Sequence, residues 1–343
     1  MSVSTAIRAR DASALPSKRD EEWRWTDLRG LIRQVPAPSA LVDAAGLSAG
    51  PFDGVAGEHL RIANGRGAAH IEVEAGDRRI VALRIVSQGS GAHVARVSVD
   101  VAAMGRLTLL ESYEGDAGGY LSQTGLVFSL GEGAVVERII LADDGTDGVT
   151  VSQAEVQLAP KATFSQTILT NGARRQRIET QVAHPGGGAT LRLDGVYLLE
   201  GKRHADQTTV VTHTGTDGTT TQLTKGVVAD QARGVFQGKI VVSEGADGTD
   251  ARMGHHALIL SDRAEVDAKP ELEIYADDVS CAHGNTVGAL DDEALFYARQ
   301  RGMPEAVARA MLTEAFIGEV IDRIEHEGAR DVARAWAAER LGG

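Results

Sequence analysis

Between about Ile71 and Ile274 apolar and polar residues alternate with a period of two, as in Ile71-Glu72-Val73, Ala95-Arg96-Val97-Ser98-Val99-Asp100-Val101 and Thr190-Leu191-Arg192-Leu193-Asp194. Successive side chains of a strand point to opposite faces, so this pattern predicts strands that each bury one face. One short phrase recurs along them: Gly105-Arg-Leu-Thr-Leu-Leu-Glu, Gly133-Ala-Val-Val-Glu-Arg, Lys161-Ala-Thr-Phe-Ser-Gln, Gly188-Ala-Thr-Leu-Arg-Leu and Gly218-Thr-Thr-Thr-Gln-Leu. Each copy opens on a turn residue and runs into an alternating strand. The copies follow one another at 27 to 30 residues, and Asp77, ahead of Arg78-Arg79-Ile80-Val81-Ala82-Leu83, stands one further interval upstream. Self-similarity at such a period signals supersecondary units that bury a continuous core only by stacking. A propeller or a sandwich could also repeat, but the interval is shorter than the ~40 to 50 residues of common propeller blades, and it favours a mainly β parallel β-helix. Glycine suits the corners of such coils, where a positive φ carries no Cβ penalty.

The flanks have a different period. Ser17 to Ile32 reads as a short amphipathic helix, with Ser17 as cap, acidic residues in its first turn, and Trp23 and Trp25 packing on the main body; Pro36 and Pro38 end it. After Gly288, Asp291 and Asp292 open a helix through Arg301, Gly302 ends it, and Pro304 starts a second. In that second helix Val307, Met311 and Ala315 share a stripe, and Ile317, Val320, Ile321 and Ile324 continue an apolar face. A third helix is expected from Ala329 to Leu341. The expected division is an N-terminal helical segment (1–50), a β-helix core (51–288) and a C-terminal helical domain (289–343) that caps the sheet end or presents a face to a partner.

Charge and composition narrow the classes. The 35 Lys and Arg against 48 Asp and Glu leave a formal charge of −13, which argues against nucleic acid or an anionic membrane as the main partner. Glycine, at 40 of 343 residues, suits many turns, while 6 Phe, 5 Tyr and 3 Trp are too few for an aromatic binding platform. No apolar stretch approaches the roughly 18 residues of a membrane span, and Met1 to Ala14 has no secretory h-region, so a cytoplasmic location is expected. Neither a phosphate-binding Gly-x-x-x-x-Gly-Lys-Ser/Thr loop, a Gly-x-Ser-x-Gly elbow nor a His-Glu-x-x-His pair occurs, which leaves no motif for ATP hydrolysis by this chain.

The sharpest cluster is Asp277-Asp278-Val279-Ser280-Cys281-Ala282-His283-Gly284-Asn285, which contains the single cysteine. On an extended segment Cys281 and His283 point to one side. A thiolate and an imidazole make half of a soft site for iron, zinc or copper, which usually take about four ligands. The bland alternative is a buried thiol beside a structural histidine, and a Cys/His nucleophile lacks an obvious third group. His204 with Asp206, and His213, His255 and His256, are weaker leads of the kind that usually end as satisfied or solvated histidines. Glu271 and Glu273 are expected on an outer face.

The run from Ala264 to Gly288 (AEVDAKPELEIYADDVSCAHGNTVG), followed by Asp291 to Gly302 (DDEALFYARQRG), resembles the SufD branch of the SufB/SufD family of iron–sulfur cluster assembly subunits. Lys225 to Gly238 (KGVVADQARGVFQG) and Leu15 to Leu28 (LPSKRDEEWRWTDL) add to that resemblance. The resemblance implies a right-handed parallel β-helix, pairing with a SufB-like subunit through it, and docking of a SufC-like ATPase on the C-terminal helices, with Pro304, Glu305, Met311, Glu314, Phe316 and Glu319 as contact candidates. It implies that His283, with Cys281 beside it, helps hold a transient iron–sulfur cluster shared with the SufB-like subunit rather than kept by the isolated chain, which could also pair with itself. On this reading the chain is a noncatalytic scaffold. A β-helix enzyme acting on polysaccharide would instead need a long groove of carboxylates and arginines. A purely structural β-helix would self-assemble.

Overall fold

The computed structural model describes residues 2–67 and 69–342. The alternating segments form seventeen strands, from β1 (Glu58–Ala63) to β17 (Val279–Gly288). All pair in parallel, odd-numbered strands in one nine-stranded sheet and even-numbered strands in an eight-stranded one, each strand beside the next-but-one in sequence. The chain is therefore a parallel β-solenoid of about eight two-strand turns, as the repeat predicts. The repeated phrases fall at the starts of the odd strands β5 (Arg106–Gly115), β7 (Val135–Asp143), β9 (Thr163–Thr170), β11 (Thr190–Leu199) and β13 (Thr219–Val228).

Their opening residues have different reasons to be there. Gly133 and Gly188 take positive φ, as do Lys161 and, one residue earlier, Met104 and Asp217. Gly218 has an ordinary φ but cannot carry a side chain, because a Cβ would stand 2.6 Å from His213 Nδ1 and 2.9 Å from His184 Cε1. Those two buried imidazoles stack on adjacent coils with centroids 4.2 Å apart.

The inward rows of Leu, Ile, Val and Phe make the solenoid interior, running from Ile62 to Met253. Coverings on the outside of both sheets complete the fold. Helix α1 (Val3–Ala9) and the segment up to Val35 pack on Ala92, Leu121, Val149 and Val151 of the even-strand sheet. Ser17–Ile32 does not form the expected continuous helix: it holds a 3₁₀ turn at Glu21–Trp23 and one α-helical turn, α2 (Leu28–Leu31). Tertiary contacts override the helical pattern here. Trp23 lies over the Arg177 guanidinium at 4.4 Å, the Trp25 carbonyl accepts from His204 Nε2 at 3.0 Å, and Thr26 Oγ1 donates to Asp206, so successive residues are tied to the sheet.

The C-terminal chain forms α3 (Asp292–Gln300), α4 (Glu305–Ile321) and α5 (Glu327–Leu341). Asp291 caps α3 by accepting from the Glu293 and Ala294 amides. Helices α4 and α5 lie on the outer face of the odd-strand sheet, where Ile317, Val320, Ile321, Ile324 and Trp336 meet Leu110, Ile139, Leu169 and Val196. Val307, Met311 and Ala315 do not continue that face and are exposed. Six residues advance a helix by about 600°, which sets Ile317 some 240° around the axis from Met311. No helix among the described residues is long and apolar enough to cross a membrane.

Candidate functional site at the open end of the solenoid

Strands β16 (Glu265–Ile274) and β17 end their respective sheets, and among the described residues no strand follows them. An edge of ten residues presents unpaired backbone donors and acceptors, which proteins usually cover or blunt. Here Ala282 to Ala289 are all exposed, and Ile274, Tyr275 and Val287 are 42%, 64% and 45% exposed beside them. Pro270 sits within β16, where an edge strand tolerates the missing N–H. Glu271 and Glu273 do lie on the outer face, paired with Lys269 and Lys239 at 3.1 and 2.8 Å.

Parallel pairing with β15 (Thr249–Ile259) fixes the register: Ala251 faces Cys281, Met253 faces His283 and His255 faces Asn285. Ala251 and Met253 belong to the interior, and so do the half-buried Val279 and Cys281. Cys281, His283 and Asn285 are thus on the inward row of the last coil, at its open end. The alternation expected from the sequence is present. Burial pushes the Cys281 thiol above its ordinary pKa, and the nearby Asp250 carboxylate adds to the effect. A metal must therefore displace a proton that the protein alone retains. No group of three His, Cys, Asp or Glu side chains able to hold a metal occurs among the described residues. A thiol and an imidazole together are a soft but partial donor set.

His255 is better connected than its sequence context suggested. Its Nδ1 lies 2.7 Å from Asn285 Oδ1, its Nε2 is 2.9 Å from the Tyr197 hydroxyl, and its ring stacks on Phe236 with centroids 4.7 Å apart. Desolvation lowers its pKa to about 4, so the imidazole is neutral. The signal was the repeat itself, since 30 residues separate His255 from Asn285. His204 is a buried histidine held by the Trp25 carbonyl, and Asp206 pairs with Arg177 at 2.9 Å. His213 bonds Thr220 at 2.9 Å, and His256, on the exposed side, bonds Thr286 at 2.7 Å.

The helical candidates divide in two. Pro304, Glu305, Met311 and Glu314 are open to solvent, and α3 adds Phe296 and Tyr297, 63% and 61% exposed. Met311, Glu314 and Glu319 line a groove of about 600 Å³ with Ala315, Gly318 and Arg334. Phe316 instead packs toward the solenoid under Lys225 Nζ, 4.5 Å from its ring centre, and Glu319 accepts from the same ammonium at 2.5 Å. Elsewhere, a cleft over the even-strand sheet is lined by Arg96, Gln153, Glu155 and Glu179. Glu179 there accepts from Arg177 and from Gln181.

Residues 84–316 match the family described as SUF system FeS cluster assembly, SufBD core domain. The chain belongs to the SufBD family, whose work is iron–sulfur cluster assembly in the SUF system. It is similar to the iron-sulfur cluster assembly protein SufD of Escherichia coli K12, with 29% identity covering 96% of this chain and 90% of that protein. An iron-sulfur cluster assembly SufBD family protein of Mycobacterium tuberculosis H37Rv is 26% identical over 92% of this chain and 86% of its own. The SufD of Bacillus subtilis is 32% identical over 46% of this chain and 39% of its own.

Proposed function

We propose that this chain is a noncatalytic scaffold subunit that pairs with a SufB-like subunit through the open end of its solenoid. There His283 and Cys281 supply part of the ligand set of a nascent iron–sulfur cluster, and the partner supplies the rest. The observation that carries this reading is an inward-facing thiol and imidazole on an uncovered edge strand. Edge strands pair readily with a second chain, and the exposed Ile274, Tyr275 and Val287 give such an interface apolar area. Pairing would bury the site, and a cargo bound between two chains is released only if they move relative to each other. A SufC-like ATPase docked on α3 and α4, against Phe296, Tyr297, Val307, Met311 and Glu314, would supply that movement through its nucleotide cycle.

The test is His283→Ala in the complex purified anaerobically from the native host, with iron and acid-labile sulfide quantified. Because His283 is exposed in the single chain, the variant is expected to keep its fold. Cluster yield is expected to fall to background. A yield equal to that of the unsubstituted complex sinks the site assignment.

A further inference from the structure

Tyr197, His255 and Asn285 form a hydrogen-bonded line that runs from β11 through β15 to the edge strand β17. Space has been made for it. A Cβ on Gly226 would stand 1.9 Å from the Tyr197 ring, and one on Gly234 would stand 2.4 Å from it. The Tyr197 side chain is fully buried, and stacking on Phe236, with an interplanar angle of 7°, fixes the plane of the His255 ring.

The line has a direction. Among the described residues the Tyr197 hydroxyl has one hydrogen-bond partner, His255 Nε2, and a buried O–H must donate to something. Nε2 therefore accepts, and the neutral imidazole carries its proton on Nδ1, which donates to the Asn285 oxygen. The polarity of the Asn285 amide follows. Its oxygen accepts from His255, and its nitrogen keeps two N–H donors with no partner among the described residues, on a side chain two positions along the inward row from His283 and four from Cys281.

We propose that Asn285 is a third functional group of this site: an N–H donor to an inorganic sulfide of the cargo, held in that orientation by His255 and Tyr197. The inference rests on the cluster-assembly reading of Cys281 and His283. Hydrogen bonds to cluster sulfur stabilise its negative charge, and outer groups that orient such contacts are worth about 10- to 100-fold in affinity. Asn285 thus acts on the sulfide rather than on the iron. His255 and Tyr197 are positioning residues that keep the amide from rotating.

The decisive comparison is Asn285→Asp in the full complex, loaded anaerobically with ferrous iron alone or with ferrous iron plus sulfide. The substitution is isosteric, keeps an oxygen for His255 Nδ1–H and removes both N–H donors. Sulfide retention against a trapping agent is expected to fall about tenfold or more, and the sulfur-to-iron charge-transfer bands to shift, while loading with iron alone is not weakened. Tyr197→Phe, which changes nothing on the exposed strand, is expected to lose sulfide in the same direction by a smaller factor. It decides the matter should Asn285→Asp fail to co-purify with its partner. Unchanged retention and spectrum in Asn285→Asp overturn the donor, and the same result in Tyr197→Phe overturns its orientation by the buried line. A His283→Ala complex that still loads normally would instead remove the underlying site, a failure distinguishable from either.

Discussion

Arg138 and Glu111 form a two-point ion pair between adjacent coils in the solenoid interior, Nε to Oε1 at 2.6 Å and Nη2 to Oε2 at 2.8 Å, with both side chains fully shielded from solvent. Tyr113 donates to the same carboxylate at 3.0 Å, and Arg138 Nη1 donates to Gln166 Oε1 at 2.7 Å while its guanidinium lies 5.1 Å from the Phe128 ring centre. Two charges are tolerated there because each satisfies the other.

Removing one partner of this pair strands the other. Arg138→Met is expected to cost about 3–5 kcal/mol in urea unfolding, since Glu111 is left buried without its counterion. Adding Glu111→Met to it should recover most of the loss. A double variant no more stable than Arg138→Met would show that the pair itself, rather than the uncompensated charge, holds the coils together.

Asp194 makes folding depend on pH beneath α4. Burial raises its pKa from 3.8 to about 6, although Arg323 stands 3.1 Å from Oδ1 and Arg192 stands 3.5 Å from Oδ2. The folded chain binds this proton more tightly than the unfolded chain. The cost of ionising the group in place is therefore absent below the unfolded pKa, grows as pH rises, and is complete above about 6. Converted at 1.36 kcal/mol per pKa unit, it reaches roughly 3 kcal/mol as an upper bound. Asp194→Asn keeps an acceptor for the Leu223 amide and carries no charge. Its stability relative to the parent should rise between pH 4.5 and pH 7, as measured by urea midpoints; parallel pH profiles would refute the assignment.

Cys281 should react slowly for a thiol at an open edge. Burial and the Asp250 carboxylate both favour its protonated form. Alkylation by iodoacetamide is expected to lag behind a free small thiol at pH 8 and to keep rising through pH 9 without levelling. Asp250→Asn should speed it modestly. A rate that levels below pH 8 would mean an activated thiolate and a different chemistry for this end of the solenoid.

How much of this was legible beforehand follows from which contacts are periodic. The 27- to 30-residue interval contained the solenoid, because each coil repeats the same turn-and-strand problem. It also contained the shared face of Cys281 and His283, which needs only alternation. The Tyr197–His255–Asn285 line joins residues 58 and 30 positions apart, and nothing but the coil register brings them together. Ser17–Ile32 departs from its sequence pattern for the opposite reason. Its helical spacing is real, but Trp23, Trp25 and Thr26 each gain a sheet contact that a continuous helix would forfeit.

The two sides of α4 separate self-packing from partner docking. Phe316 lies toward the solenoid under Lys225, and Glu319 pairs with the same ammonium, so each has a contact within this chain. Val307, Met311 and Glu314 touch solvent. Phe316→Ala should therefore lower stability, by less than the roughly 3–5 kcal/mol of a fully buried Phe because the ring is only partly covered. Met311→Asp combined with Glu314→Lys should leave the unfolding midpoint within about 0.5 kcal/mol of the parent, as surface substitutions usually do. The same double variant is expected to weaken capture of the proposed ATPase subunit by about tenfold or more, the scale of losing a central interface contact. If capture persists with unchanged affinity while Phe296→Ala and Tyr297→Ala abolish it, docking belongs to α3 alone. If none of these exposed residues matters, the C-terminal helices serve only to cover the odd-strand sheet.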